Sequence, residues 1–413
     1  MNSKVLRFLS YKAIVLILII ASSCAPKENS IENVKISEGK WRATLNVQGN
    51  ELPFNFDLDY EGENIGITIH NADERLKIED ITVQGDSIFI PMHILDADIK
   101  AKVTEQGMTG NWTKNYEEDY VLHFEAVFDQ KHRFEVPTKE AADFNGRWAA
   151  TFDHEGDTTI GIGIFEQNGV DVTGTFLTPT GDYRYLEGVV DGNKMTLSTF
   201  DGGHAFVFSA VKNEDNTLTG DFWSGKSWHE TWYAVHDKDA ELPDADSLTY
   251  LKEGYDKLTF SFPDLEGNLK SPSDYEGKVL ILQIFGTWCP NCMDETKFLT
   301  KWYDENKDRG VEILALDYEA KDDFEYAKKR IMNMKNKWDI QYDFVVAGTK
   351  DKEEASKTLP MLNRIISYPT TIFLDKKGNV ARIHTGFTGP GTGHYYEQFI
   401  KEFNETIDRL LEE

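Results

Sequence analysis

An antiparallel β region followed by an α/β domain is the fold class predicted by this chain of 413 residues. Three observations carry it. Residues 31–236 alternate apolar and polar side chains with period two. Short motifs recur within that region at a fixed offset. From Lys257 onward the alternation gives way to continuous apolar runs separated by helically patterned segments. A chain of this length exceeds one hydrophobic core, so two or three domains are expected.

In the first region, FNFDLDY places Phe54, Phe56, Leu58 and Tyr60 on one face, and IGITIH does the same with Ile65, Ile67 and Ile69. TIGIGIF alternates Ile160, Ile162 and Ile164 with glycines, which predicts a strand with an isoleucine core face. GKWRAT at Gly39 answers GRWAAT at Gly146, and VQGDSIFI around Gly85 answers VDGNKMTL around Gly192, both 107 positions later. TGNW at Thr109 answers TGDF at Thr219 after a slip to 110. Two tandem antiparallel units, 36–130 and 140–237, are predicted. Their GxW openings resemble those of lipocalin-like or avidin-like small barrels, too short a likeness to assign a ligand.

Residues 238–256 are acidic, carry Pro243 and lose the alternation, which predicts a linker. Strand-like runs then begin at Val279, Val311, Tyr342 and Thr370, and DKKGN at Asp375 marks a turn into VARIHT. The closing segment aligns Tyr396, Phe399, Ile400, Phe403, Ile407, Leu410 and Leu411 on one helical face. Residues 257–413 therefore form a mixed sheet with helices around it.

The chain starts with Lys4, Arg7 and Lys12 ahead of an apolar run from Ala13 to Ile20, the pattern of a secretory signal and far short of the roughly 20 residues that span a bilayer. The run ends in Ala21-Ser22-Ser23-Cys24, which resembles the lipobox of bacterial lipoproteins. That likeness implies removal of 1–23, acylation of Cys24 and a tether over 24–35. Loss of the three cations takes the formal charge from -27 to -30. So acidic a chain is expected to bind neither nucleic acid nor anionic lipid by charge, and attachment falls to the acyl chains. With Cys24 lipidated, only Cys289 and Cys292 of the three cysteines are left, in a compartment where disulfides form.

Those two lie in FGTWCPNC, directly behind the apolar run VLILQI. Pro290 suits the first position of a helix, Asp294 and Glu295 suit its positive first turn, and Phe298, Leu299 and Trp302 supply an inward face. A thiol at a helix N-terminus is stabilised as thiolate. Lowering its pKa from about 8.5 to about 7 gains only about threefold in attack, once lost nucleophilicity is counted. The larger effect is on Cys289 as a leaving group when Cys292 resolves a mixed disulfide. A structural disulfide closing so short a loop would add only about 2 kcal/mol. A zinc site lacks two further ligands, since His384 and His394 carry no sign of partnership. No metal is expected.

FSFPDLEGN at Phe260, the strand with FGTWCPNC, SYPTTIFLD at Ser367, DKKGNV and the closing helix together resemble the thioredoxin-like domain of the TlpA-like family. These are anchored thiol-disulfide oxidoreductases of bacterial envelopes, and the likeness covers somewhat over a third of the chain. It implies Cys289 as the exposed attacking sulfur, Cys292 as the resolving one, and Pro369 as a cis-proline whose loop, with Tyr368 and Thr370, receives a partner's backbone. Trp288 would flank the site, Pro290 and Asn291 would form its turn, and Glu295 would assist proton transfer. Thioredoxin carries a buried acid six positions before the first cysteine, where this chain has Gln283. A glutamine takes no proton, so that task passes to Glu295 or water. Lys328, Lys329 and Arg330, in the insert between the second and third strand runs, are expected on a solvated helix face.

The expected activity is disulfide exchange with client proteins, in the reducing direction, with the Cys289–Cys292 disulfide as the redox group and no other cofactor. An upstream membrane electron donor, a lipid anchor and a periplasm-facing position complete the expectation, the last because APKENS after Cys24 lacks an acidic export run. Two alternatives are a peroxiredoxin-like thiol peroxidase, which wants a proline upstream that FGTWCPNC lacks, and a non-enzymatic binder using the β units.

Overall fold

The computed structural model describes residues 34–104 and 107–413; the leader, Cys24 and the first part of the tether lie outside them. Nine strands from Gly39–Val47 to Val121–Phe128 form the first unit in up-and-down order. Its first and last strands pair, Ala43 opposite Ala126, so the sheet curls back on itself. Its edges, Glu74–Ile78 and Thr82–Gln84, stay unpaired with each other.

The second unit runs from Gly146–His154 to Trp228–His236, and those two strands pair. Asp157–Asn168 pairs with both Gly146–His154 and Asp171–Thr178. Apart from the two-residue strand Gly181–Asp182, the unit's strands therefore close into a ring. The duplication persists in detail: Trp41 Nε1 donates to the Ser37 carbonyl at 3.0 Å, and Trp148 Nε1 to the Phe144 carbonyl at 2.9 Å.

The isoleucine face of TIGIGIF points the other way from expectation. Gly161 and Gly163 face the barrel interior, where a Cβ on Gly163 would lie 3.0 Å from the Phe165 and Phe176 rings. Phe152, Phe165, Phe176, Phe208 and Phe222 fill the narrow bore, leaving room at these positions for hydrogen only. Ile160 is 44% exposed, and Ile162 packs outside the barrel with Leu177 and Ala240.

Phe200 and Arg133 join the units. Phe200 of the second lies within the first unit's core, 4.6 Å from the Phe54 ring and 5.3 Å from Trp112. Buried Arg133 donates to the carbonyls of His70 and Ser198. Residues 238–256, the expected linker, pack against the domains they connect. Ala240 is buried, Asp246 accepts from Arg382 Nε at 2.7 Å and pairs with His384 at 2.9 Å, and Leu251 bridges to Leu362.

The C-terminal domain comprises β1 (Val279–Phe285), α1 (Pro290–Asn306), β2 (Val311–Glu319), α2 (Phe324–Trp338), β3 (Asp343–Thr349), α3 (Lys352–Thr358), β4 (Thr370–Leu374), β5 (Val380–Thr385) and α4 (His394–Glu412). The sheet order is β3-β2-β1-β4-β5, parallel across β1 to β3 and antiparallel at β4 and β5. Every residue of β1 is buried, as its apolar run requires of a central strand covered on both faces. On α4, Phe399, Phe403, Ile407 and Leu410 are buried against the sheet. This is the thioredoxin-like architecture.

The N-cap of α2 is Asp323, whose carboxylate accepts from the Tyr326 N–H at 2.9 Å. Asp323→Ala leaves that donor without its cap, and chemical denaturation should show a loss of about 1 kcal/mol. Arg330, expected in solvent, is instead buried: its guanidinium donates to the Ile94 carbonyl of the first β unit and lies 3.7 Å from Asp96. One residue of the basic triplet assigned to water is thus a domain contact, while Lys329 is exposed as expected. Among the described residues no helix is long and apolar enough to cross a membrane.

Candidate active site

The site starts where β1 ends. Chain direction reverses through Gly286-Thr287-Trp288, and α1 opens with Cys289 as N-cap in an extended conformation and Pro290 at its first position. Pro lacks the N–H that this position leaves unsatisfied, so the sequence favours the break. Buried Glu319 at the end of β2 holds the reversal, accepting from the Thr287 N–H at 3.0 Å and from its hydroxyl.

Cys289 and Cys292 form a disulfide with Cα atoms 5.2 Å apart, and the Cys292 N–H points at Cys289 Sγ at 3.2 Å. That N–H is one of the free donors of the first helical turn, so it can stabilise negative charge on Cys289 when the bond opens. Across from the disulfide the Tyr368–Pro369 peptide is cis, and Cys289 Sγ lies 3.5 Å from the Tyr368 carbonyl. Thr370 Oγ1 donates to the Ser367 carbonyl at 2.9 Å and closes this loop. Trp288 donates from Nε1 to the Tyr318 carbonyl at 2.9 Å and meets the Tyr368 ring edge-on at 5.5 Å.

One turn beyond Cys292, Glu295 is buried and accepts from Gln283 Nε2 at 2.8 Å and Thr371 Oγ1 at 2.5 Å. Burial pushes its carboxyl up to about 7, against the pull of those two donors. It is not the exposed first-turn acid that its position allows. Gln283, lacking a proton to exchange, fixes the orientation of the carboxylate that has one. Nearby, Asp317 of β2 is fully buried with both oxygens unpartnered, and desolvation raises its carboxyl well above the usual range.

The structure thus gathers Trp288, Cys289, Pro290, Asn291, Cys292, Glu295, Tyr368, Pro369 and Thr370 in one place. It corrects one expectation about them: Cys289 is not exposed. Only 6% of its surface reaches solvent, and Cys292 has none. The cover comes from the second β unit. Asn291 Nδ2 donates to the Asp182 carbonyl at 2.9 Å, Ser367 Oγ to the Thr180 carbonyl at 2.6 Å, and Arg184 to the Pro290 carbonyl at 3.3 Å. The first unit adds Tyr116 and Glu117, with Lys350 lying over the Tyr116 and Trp288 rings and pairing with Glu117 at 3.2 Å. Nothing in the TGDYR stretch marked these contacts, because they join residues more than 100 positions apart. Glu319 and Asp317 did carry a signal, as two acids directly after the apolar stretch ILAL within β2.

The AhpC/TSA family profile matches residues 255–383. The thiol-disulfide oxidoreductase ResA of Bacillus thuringiensis subsp. konkukian is 31% identical over 150 residues, covering 36% of this chain and 77% of the relative. The chain belongs to the ResA-like thiol-disulfide oxidoreductases. ResA of Halalkalibacterium halodurans is 28% identical to this oxidoreductase over 156 residues, covering 38% of the chain and 77% of the relative. A solved structure described as a thiol:disulfide interchange protein DsbE of Chlorobium tepidum overlays 38% of the oxidoreductase at 18% identity, with a TM-score of 0.30 and 99% of its own chain covered. The family match lies in its C-terminal part, and the two β units of this oxidoreductase precede it.

Proposed function

We propose that this oxidoreductase is a lipid-anchored envelope protein that reduces disulfides in client proteins through Cys289 and Cys292. The observation carrying this reading is the placement of both sulfurs at the mouth of α1, opposite the cis-proline loop. In the reduced enzyme the Cys289 thiolate attacks one sulfur of a client disulfide, forming a mixed disulfide and releasing one client thiolate. Glu295 takes the proton of Cys292. The Cys292 thiolate then attacks Cys289 Sγ, releasing the second client thiolate and forming the 289–292 disulfide. Two electrons pass to the client.

The disulfide is the redox group, and no further cofactor enters the scheme. A membrane electron donor returns the two electrons, and Cys24, outside the described residues, carries the anchor that holds the domain in a periplasm-facing position. Lipid anchorage is read from metabolic labelling with a radioactive fatty acid: incorporation in the full chain and its loss in Cys24→Ser are expected.

The direction of exchange is tested by the equilibrium potential of the couple. A value near that of thioredoxin, about -270 mV, supports a reductase; a value near about -120 mV makes it an oxidant. The AhpC/TSA match motivates a second assay. Insulin reduction without peroxide consumption is expected, and the reverse result would replace this reading with a thiol peroxidase.

A further inference from the structure

In the oxidised enzyme a segment of the second β unit sits where a client must approach. Residues 180–184 form a hairpin between the strands Asp171–Thr178 and Leu186–Asp191, with Gly181–Asp182 paired to Asp171–Thr178 and Tyr183 packed on the barrel core, and its outer side lies against the CPNC turn and the cis-proline loop. The approach is backbone-close on both sides. A Cβ on Gly203 of the barrel would fall 2.8 Å from Pro290 Cγ, and one on Gly386, just after β5, would fall 2.9 Å from the Thr180 carbonyl carbon.

Arg184 fastens this segment. It is 3% exposed, yet its guanidinium meets three carboxylates from three parts of the chain: Glu74 of the first unit, Asp201 of the second at 2.8 Å, and Asp294 of α1. Its backbone adopts φ 58°, a left-handed conformation that a side chain as large as arginine rarely takes without strong surrounding contacts. Asp182, two residues earlier, accepts from the Gly389 N–H at 2.7 Å, tying the same segment to the turn before α4. A buried cation among paired acids is costly to expose one partner at a time, so loss of any one carboxylate weakens the whole contact.

We propose that residues 180–184 are a resident cap on the client groove, and that Arg184 is the positioning residue deciding which reactants gain access to the disulfide. Tethered segments compete at effective concentrations on the order of millimolar. A client must therefore displace the cap, or meet the fraction of molecules in which it has released. The docked state shields Cys289 from protein clients and from small reductants alike. The proposal rests on the reading of Cys289 and Cys292 as a client-exchanging couple, but its test does not need client turnover.

The test uses the oxidised full-length chain and a phosphine, tris(2-carboxyethyl)phosphine, which becomes the phosphine oxide as the disulfide becomes two thiols. The rate is read by quenching with iodoacetamide and mass spectrometry. Arg184→Ala is expected to be reduced at least tenfold faster than the wild type, with Arg184→Lys between them. Glu74→Gln, which touches no atom of the CPNC turn, is expected to accelerate reduction severalfold, and it decides the matter if Arg184→Ala fails to fold by circular dichroism. Equal rates in the wild type and the folded variants would overturn the cap. If reduction accelerates while insulin turnover is absent from every protein, the cap stands and the client reading fails.

Discussion

Replacing Cys289 with serine is expected to lower insulin-disulfide turnover by about a thousandfold or more, whereas Cys292→Ser keeps the first attack and accumulates a mixed disulfide. The asymmetry follows from the helix. Cys289 is the N-cap, and its sulfur faces the Cys292 N–H at 3.2 Å. Cys292, inside the first turn, has no exposed surface. A serine hydroxyl at position 289 neither ionises near neutral pH nor forms a disulfide, so no covalent intermediate arises. In Cys292→Ser the attack on a client proceeds, but the resolving thiolate is missing. Mass spectrometry of that variant, incubated with a disulfide-containing client, should show one client chain attached at Cys289 and none at the substituted position. Retention of more than about a tenth of wild-type turnover by Cys289→Ser would show that the chemistry resides elsewhere. Attachment at neither position would remove Cys289 from the attacking role.

The disulfide turn was legible because its signals are local. An apolar run of seven residues predicts a covered strand, Pro290 after Cys289 predicts a helix start, and the Tyr-Pro pair sits just before another apolar run. The tandem β units were legible for the same reason: alternation and a repeated GxW need only neighbours in sequence. What escaped was long-range. The cover over Cys289 comes from backbone groups of Thr180 and Asp182, and a carbonyl has no residue-type signature. Arg184 stands in sequence as one of many exposed-looking charges; only the meeting of Glu74, Asp201 and Asp294 around it explains its burial. Arg330 misled in the same way, since one cation of a basic triplet on a helix reads as solvated like its neighbours until a second domain covers it. In TIGIGIF, alternation gave the period but not the phase, because the phenylalanines that fill the bore belong largely to other strands.

Glu295→Gln is expected to change both stability and rate as functions of pH. The native carboxyl holds its proton up to about pH 7, because burial disfavours its charge, whereas an unfolded glutamate loses it near 4.5. Between these values the folded protein binds more protons than the unfolded one, so this residue's contribution is complete below pH 4.5 and falls by about 3 kcal/mol as pH rises through 7. Glutamine fills the same volume and does not titrate, so the contribution becomes flat. Asp182, pushed up to about 6 by its own burial, titrates in both proteins, and the difference between them isolates Glu295. Urea unfolding of the oxidised chains from about pH 5 to about pH 8 should therefore show a steeper loss of stability in the wild type. The kinetic consequence has the opposite sign. Ionised Glu295 accepts the Cys292 proton, so resolution of the mixed disulfide speeds up as pH rises through about 7. In Glu295→Gln that inflection disappears and resolution at neutral pH slows by about a hundredfold. Coincident stability slopes would show that the carboxyl does not titrate near neutrality. A persisting inflection with less than about a twofold change in rate would leave Glu295 as an orienting partner of Gln283 and Thr371, with the proton passing to water instead.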